Sequence, residues 1–140
     1  MWFITFLMFG LSFALDACIR SVDNPYQDPY LDYLLVKTLE KALQESGRKL
    51  NCDKDAQDFY LKVTRLKEEP TAYTPFKRVN AYNLTLSLEL RSGDKSKTYS
   101  RTINYFLPSG AYGNLPKRKA LEDLLNIIYL DLLQDLKVYF

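Results

Sequence analysis

Histidine does not occur anywhere in the 140 residues. That excludes Ser-His-Asp and Cys-His nucleophile systems and removes the commonest transition-metal ligand. Only two cysteines are present, Cys18 and Cys52, too few to build a structural zinc site unaided. Neither sign of charge is in excess, with 19 basic against 17 acidic residues and a net charge of +2. So weak a balance gives no basis for nucleic-acid binding. The five glycines form no phosphate-cradling loop, and the acid pairs Glu68-Glu69 and Asp53/Asp55/Asp58 lack the glycine and downstream Glu of a calcium loop. These acids read as loop solvation and turn caps. No repeat, low-complexity tract or dividing linker breaks the chain, which is one domain in length. The absences together point to a protein that binds and assembles rather than catalyses, with no cofactor.

Charge is also missing from one long stretch. Between Trp2 and Leu15 there is no ionisable side chain, and Phe and Leu dominate. The run has the length of a signal-peptide apolar region and is too short for an ordinary membrane-spanning helix. It closes in Leu15-Asp16-Ala17-Cys18, which resembles the lipid-attachment motif of bacterial lipoproteins, although no Lys or Arg precedes the run. On this reading residues 1–17 are a signal-like segment, residues 18–140 are the domain, and Cys18 carries the lipid anchor. A second reading makes Phe13 to Val22 a first β-strand with Cys18 half-buried in it. A Cys18–Cys52 bridge is then open in an oxidising compartment, but only if Cys18 is not acylated.

Periodicity supplies the remaining elements. Asp28 can cap a helix that opens at Pro29. Leu31, Leu34, Leu35, Leu39, Ala42 and Leu43 follow helical spacing, and Gly47 ends the element, predicting a helix from Pro29 to Ser46. From Phe59 the period changes to two, as Phe59, Leu61 and Val63 alternate with polar neighbours, and Pro70 and Pro75 bracket a loop. Tyr82, Leu84, Leu86, Leu88 and Leu90 give the clearest strand, followed by a hairpin turn at Ser92-Gly93-Asp94-Lys95 and a strand from Thr98 to Leu107. Pro116 opens a last helix with Leu121, Leu124, Leu125, Ile128, Leu132 and Leu136 on one stripe. Ile127, Leu130 and Leu133 widen that stripe beyond what one sheet face needs. The expected fold is α/β (α+β), a two-layer sandwich. Two helices pack on one face of a mixed, mostly antiparallel four-stranded sheet, in the order β-α-β-β-β-α. The other sheet face is rich in Thr, Ser, Asn, Lys and Glu.

The segments Val22-Asp23-Asn24-Pro25-Tyr26-Gln27-Asp28-Pro29, Glu68-Glu69-Pro70-Thr71-Ala72-Tyr73 and Arg78-Val79-Asn80-Ala81-Tyr82-Asn83-Leu84-Thr85-Leu86 stand in an order and spacing that resembles the LptE family of outer-membrane lipoproteins. The resemblance runs from Val22 to the C-terminus. It implies a two-layer α/β domain at the periplasmic face of the outer membrane, lipid-anchored there, plugging and helping to assemble the LptD β-barrel and binding lipopolysaccharide without catalysis. It departs from the family in the residues after Cys18. A periplasmic lipoprotein that docks or activates a cell-wall synthase would have the same layout.

Lipid A carries phosphates, so its contact surface needs Lys or Arg beside apolar or aromatic area. Lys62, Lys77, Arg78 and Arg91 are the residues expected to contact lipopolysaccharide. Arg91, Lys95, Lys97 and Arg101 surround the hairpin turn as one basic group. Lys117-Arg118-Lys119 is a second basic run, placed in a helix first turn where cations oppose the helix dipole; it reads as a solvated surface turn.

Overall fold

A computed structural model of the chain describes residues 16–73, 75, 79–107 and 115–140. Five strands and two long helices follow in the order β1 (Asp16–Asp23), α1 (Pro29–Glu45), β2 (Lys49–Leu50), β3 (Gln57–Tyr73), β4 (Val79–Ser92), β5 (Lys95–Phe106) and α2 (Leu115–Val138).

Helix α1 starts and stops where its capping residues dictate. The Asp28 carboxylate accepts from the backbone N–H of Tyr30 at 3.0 Å and of Leu31 at 3.3 Å, and Pro29 occupies the first turn, where its missing N–H costs nothing. At the other end Gly47 takes φ 95°, the Arg48 N–H reaches the Leu43 carbonyl, and the Gly47 N–H reaches that of Gln44. This pair of bonds satisfies carbonyls that the helix leaves free, and the left-handed backbone at position 47 suits glycine. The turn swings Arg48 inward, where it is only 9% exposed. Its guanidinium donates to Ser46 Oγ, Gln57 Oε1 and the Leu136 carbonyl, joining the ends of α1 and α2 to the start of β3.

The sheet order is β2-β1-β3-β4-β5. Strand β1 runs parallel to both its neighbours, and β3, β4 and β5 form an antiparallel meander. Two corrections to the expected fold follow. The sheet has five strands, because the chain leaving α1 pairs Lys49 and Leu50 with Asp16 and Ala17 before it turns. It also divides into two parallel and two antiparallel pairings, so it is mixed rather than mostly antiparallel. A third correction concerns Pro70. Strand β3 continues through it to Tyr73, because pairing with β1 ends at Lys62 and Pro70 needs only β4 as a partner. A residue without an N–H fits there, at a free edge.

One side of the sheet is covered by the helices. Phe59, Leu61 and Val63 of β3, Leu84, Leu86, Leu88 and Leu90 of β4, and Tyr99 and Tyr105 of β5 form one core with the Leu stripes of α1 and α2. Each buried Leu of β4 contributes about 1.5 to 3 kcal/mol of apolar transfer. An irregularity between Val63 and Arg65 shifts the alternation of β3 by one residue, so that Leu66 continues the helix-side row.

Strand β1 settles where Cys18 sits. Ala17 lies in the core without exposure and Ile19 packs against it; Cys18 points to the opposite side and is bonded to Cys52. A sulfur in a disulfide has no valence left for a thioether, so in this structure Cys18 is a buried strand residue and not the lipid anchor. Asp16 and Ala17 are part of β1. The apolar run from Trp2 to Leu15 lies outside the described residues. Among the described residues, no helix is long and apolar enough to cross a membrane.

Candidate binding face of the sheet

Among the described residues no helix covers the second side of the sheet, and what the alternation places there is mostly polar, with Tyr60 and Phe106 the large exceptions. Across β4 and β5 the side chains bond to one another in rungs. Thr85 and Thr102 share a hydroxyl hydrogen bond at 2.8 Å, as do Ser87 and Ser100. The Asn104 amide donates to Asn83 Oδ1 and to Thr71 Oγ1, each at 3.1 Å. Groups paired in this way are satisfied without a layer above them. Such a face is stable in water and can be covered by a partner with little loss.

Charged residues flank these rungs. Lys62 stands between Asp23 on β1 and Glu89 on β4 in the strand register. Arg91 lies opposite Tyr60 with its guanidinium 5.0 Å from the ring centroid. Arg20 binds Asp58 at 2.7 Å, and Lys67 binds Glu69. The Lys67 ammonium beside Glu69 holds that carboxyl below its ordinary range. Five cations (Arg20, Lys62, Arg65, Lys67, Arg91) thus meet four carboxylates (Asp23, Asp58, Glu69, Glu89) on this side. The face is nearly neutral, and its free cationic capacity lies with Lys62, Arg65 and Arg91, which make no ion pair among the described residues.

The structure therefore brings Lys62 and Arg91 together on one face and leaves Lys77 and Arg78 outside the described residues. It separates the basic group expected around the hairpin. Gly93 takes φ 63° at the turn, and beyond it Lys95, Lys97 and Arg101 face the helix side. Lys95 donates to the Tyr139 carbonyl at 3.0 Å, Lys97 lies 4.7 Å from the Tyr139 ring centroid, and Arg101 binds Asp131 at 2.8 Å. The run at the start of α2 is likewise engaged within the chain. Lys117 pairs with Glu68 at 3.6 Å, Arg118 lies 5.0 Å from the Tyr30 ring centroid, and Lys119 pairs with Asp123 at 3.2 Å. Of the acids read as loop solvation and turn caps, Asp53 and Asp55 form a turn, with Asp53 Oδ1 accepting the Asp55 N–H, whereas Asp58, Glu68 and Glu69 lie on β3 and pair with Arg20, Lys117 and Lys67.

The hydroxyl and amide rungs are not evident from the sequence alone. Their signal was present in the polar half of the β4 alternation, Asn83, Thr85 and Ser87. The matching register of β5, which turns those residues into rungs, is fixed only once the hairpin is closed at Gly93. Among the described residues, no group of three or more acid or thiol side chains is arranged to hold a metal ion.

No family model matches the chain. An uncharacterized protein of Aquifex aeolicus is 30% identical over 134 residues, spanning 96% of this chain and 93% of the relative. The crystal structure of a minor lipoprotein from Acinetobacter baumannii superposes with a TM-score of 0.53 over 87% of this chain and 94% of that one, at 16% identity. The rare lipoprotein B of Shewanella oneidensis gives a TM-score of 0.49 over 85% and 89% of the two chains, at 13% identity. The first structural likeness establishes a shared fold.

Proposed function

The chain belongs to one family with the uncharacterized Aquifex aeolicus protein, and we propose that it is a non-catalytic component of lipopolysaccharide assembly at the periplasmic face of the outer membrane, of the LptE kind. Its work is binding. The open polar face and the loops at its rim fit into the lumen of an LptD-like β-barrel, and Lys62 and Arg91, with Lys77 and Arg78, engage anionic lipopolysaccharide. The observation that carries this reading is the uncovered polar sheet face, in a fold shared with the Acinetobacter lipoprotein. A barrel lumen is wet, and a plug surface of paired hydroxyls and amides suits it. The disulfide supports an oxidising compartment such as the bacterial periplasm. The apolar Trp2–Leu15 segment supplies the route of export and any tether, since the Cys18 sulfur is occupied.

Isolation of the full chain from native outer membranes tests this. Recovery with a large β-barrel protein is expected, and recovery with an inner-membrane cell-wall synthase instead would overturn the proposal. The double variant Lys62→Gln with Arg91→Gln is expected to weaken lipopolysaccharide binding severalfold and to make the remainder less salt-sensitive. Unchanged binding would remove these two residues from the contact.

A further inference from the structure

Helix α2 has apolar residues on two sides. Its inner side buries Ala120, Leu121, Leu124, Leu125, Ile128, Leu132 and Leu136. On its outer side Ile127 is 40% exposed and Leu130 64% exposed, with Leu133 half-buried on the flank. Among the described residues, nothing covers that outer stripe.

The stripe has an internal symmetry of charge. Asp123, Leu130 and Lys137 stand seven residues apart, two helical turns each, and so share one line along the outer surface. The flanking positions repeat the spacing, with Ile127 and Gln134 on one side and Asn126 and Leu133 on the other. We propose that this stripe is an interface with a second copy of the chain, the two α2 helices crossing antiparallel on a two-fold axis at Leu130. A two-fold places what lies before Leu130 in one copy against what lies after it in the other. Leu130 then meets Leu130, each Asp123 carboxylate meets the Lys137 ammonium of the other copy, and each flanking row packs on its own counterpart. The parallel arrangement is disfavoured, because it would set Asp123 against Asp123 and Lys137 against Lys137.

The charges are available for this. Lys137 makes no ion pair among the described residues, and Asp123 has only the solvent-exposed Lys119 of its own helix. An exposed pair of that type is worth little and is readily exchanged. The contact is one helix wide, at the low end of specific interfaces. It is a reversible association, and confinement of the chain at a membrane surface raises its population through local concentration.

Cross-linking in the full-length protein, in its native envelope, tests the pairing. Leu130→Cys places a thiol on the axis, while Glu40→Cys on the exposed side of α1 serves as control; the native cysteines are already paired. A short bis-maleimide is expected to give a homodimer band from Leu130→Cys several times stronger than from Glu40→Cys. In the Leu130→Cys background, Asp123→Lys or Lys137→Asp alone is expected to lower the band severalfold, and the two together to restore it. No excess over the control, no restoration in the double variant, or cross-linking of residue 130 to a different protein would each overturn the proposal.

Discussion

Strand β4 shows two environments on one backbone. Leu84, Leu86, Leu88 and Leu90 face the helices and have no exposed surface, while Asn83, Thr85, Ser87 and Glu89 face away, and the first three are satisfied by neighbours within the sheet. Both rows belong to residues paired on the same two strands. The difference is the second layer. Stability is concentrated on the covered side, where apolar transfer and packing act together. The open side contributes little to holding the fold, so its residues are free to be chosen for a partner. The sharpest way to break this contrast is Leu88→Ala, at the middle of the covered row. It is expected to cost about 3 to 5 kcal/mol in denaturant unfolding, from lost transfer and an unfilled cavity. A loss under about 1 kcal/mol would mean that the covered side is loosely packed and the two sides are not so different.

One feature of the open side carries large stabilisation, and it is covalent. The Cys18–Cys52 bond closes a loop with a sequence separation of 34 residues, tying β1 to the segment before β3. In the chain-entropy view it stabilises by about 4 kcal/mol, through restriction of the unfolded chain. Replacing both cysteines by Ala is expected to lower stability by that amount. Peptide mass analysis of the mature protein is expected to show the Cys18–Cys52 link. An acyl group on Cys18 would return that residue to the role of anchor and break the assignment of β1.

Much of this arrangement was legible in the residues. The capping Asp28, the Pro at the first turn and Gly47 bounded α1 within a residue, and the Leu alternation gave β4 its covered face. Strand β2 was not legible, because two residues carry no period; it exists through backbone pairing with β1. The length of β3 was hidden by Pro70, which reads as a stop unless one knows that β1 has already ended beside it. Of the candidate site, Lys62 and Arg91 emerged on one face because both lie on strands of clear period. Lys95, Lys97 and Arg101 were grouped with Arg91 by proximity in sequence. The hairpin instead turns them toward α2, where Tyr139 and Asp131 receive them.

A pH prediction probes the covered side without changing its packing. Tyr99 and Tyr105 are both held above the ordinary tyrosine range, first by burial and then by the carboxylates they bond, Asp135 and Glu68. The folded chain therefore keeps a proton that the unfolded chain gives up near pH 10. The sign is that stability is intact below pH 10 and falls as pH rises above it, by up to about 1.4 kcal/mol per pH unit for each tyrosine. Unfolding measured between pH 9 and 11 is expected to show the decline, and Tyr99→Phe to make it shallower. A profile identical in the variant would mean that Tyr99 ionises as freely in the fold as out of it.

The smallest expected effect is the one that tests the open face directly. Among the described residues the Thr85 and Thr102 hydroxyls bond only to each other across β4 and β5, and Thr102 is exposed. Replacing both by Val keeps the shape and the strand preference and removes donor and acceptor together, so no polar group is left without a partner. The expected change in stability is under about 0.5 kcal/mol, some tenfold less than for Leu88→Ala on the same strand. The surface chemistry changes more than the fold, because two apolar side chains now interrupt the polar rungs. If the open face serves as the contact for a wet β-barrel lumen, the double variant folds normally by denaturant unfolding and is recovered with less barrel protein from outer membranes. A large loss of stability would show that the rung is part of what holds the sheet together. That outcome would remove the separation between a face that folds the chain and a face that is free to bind.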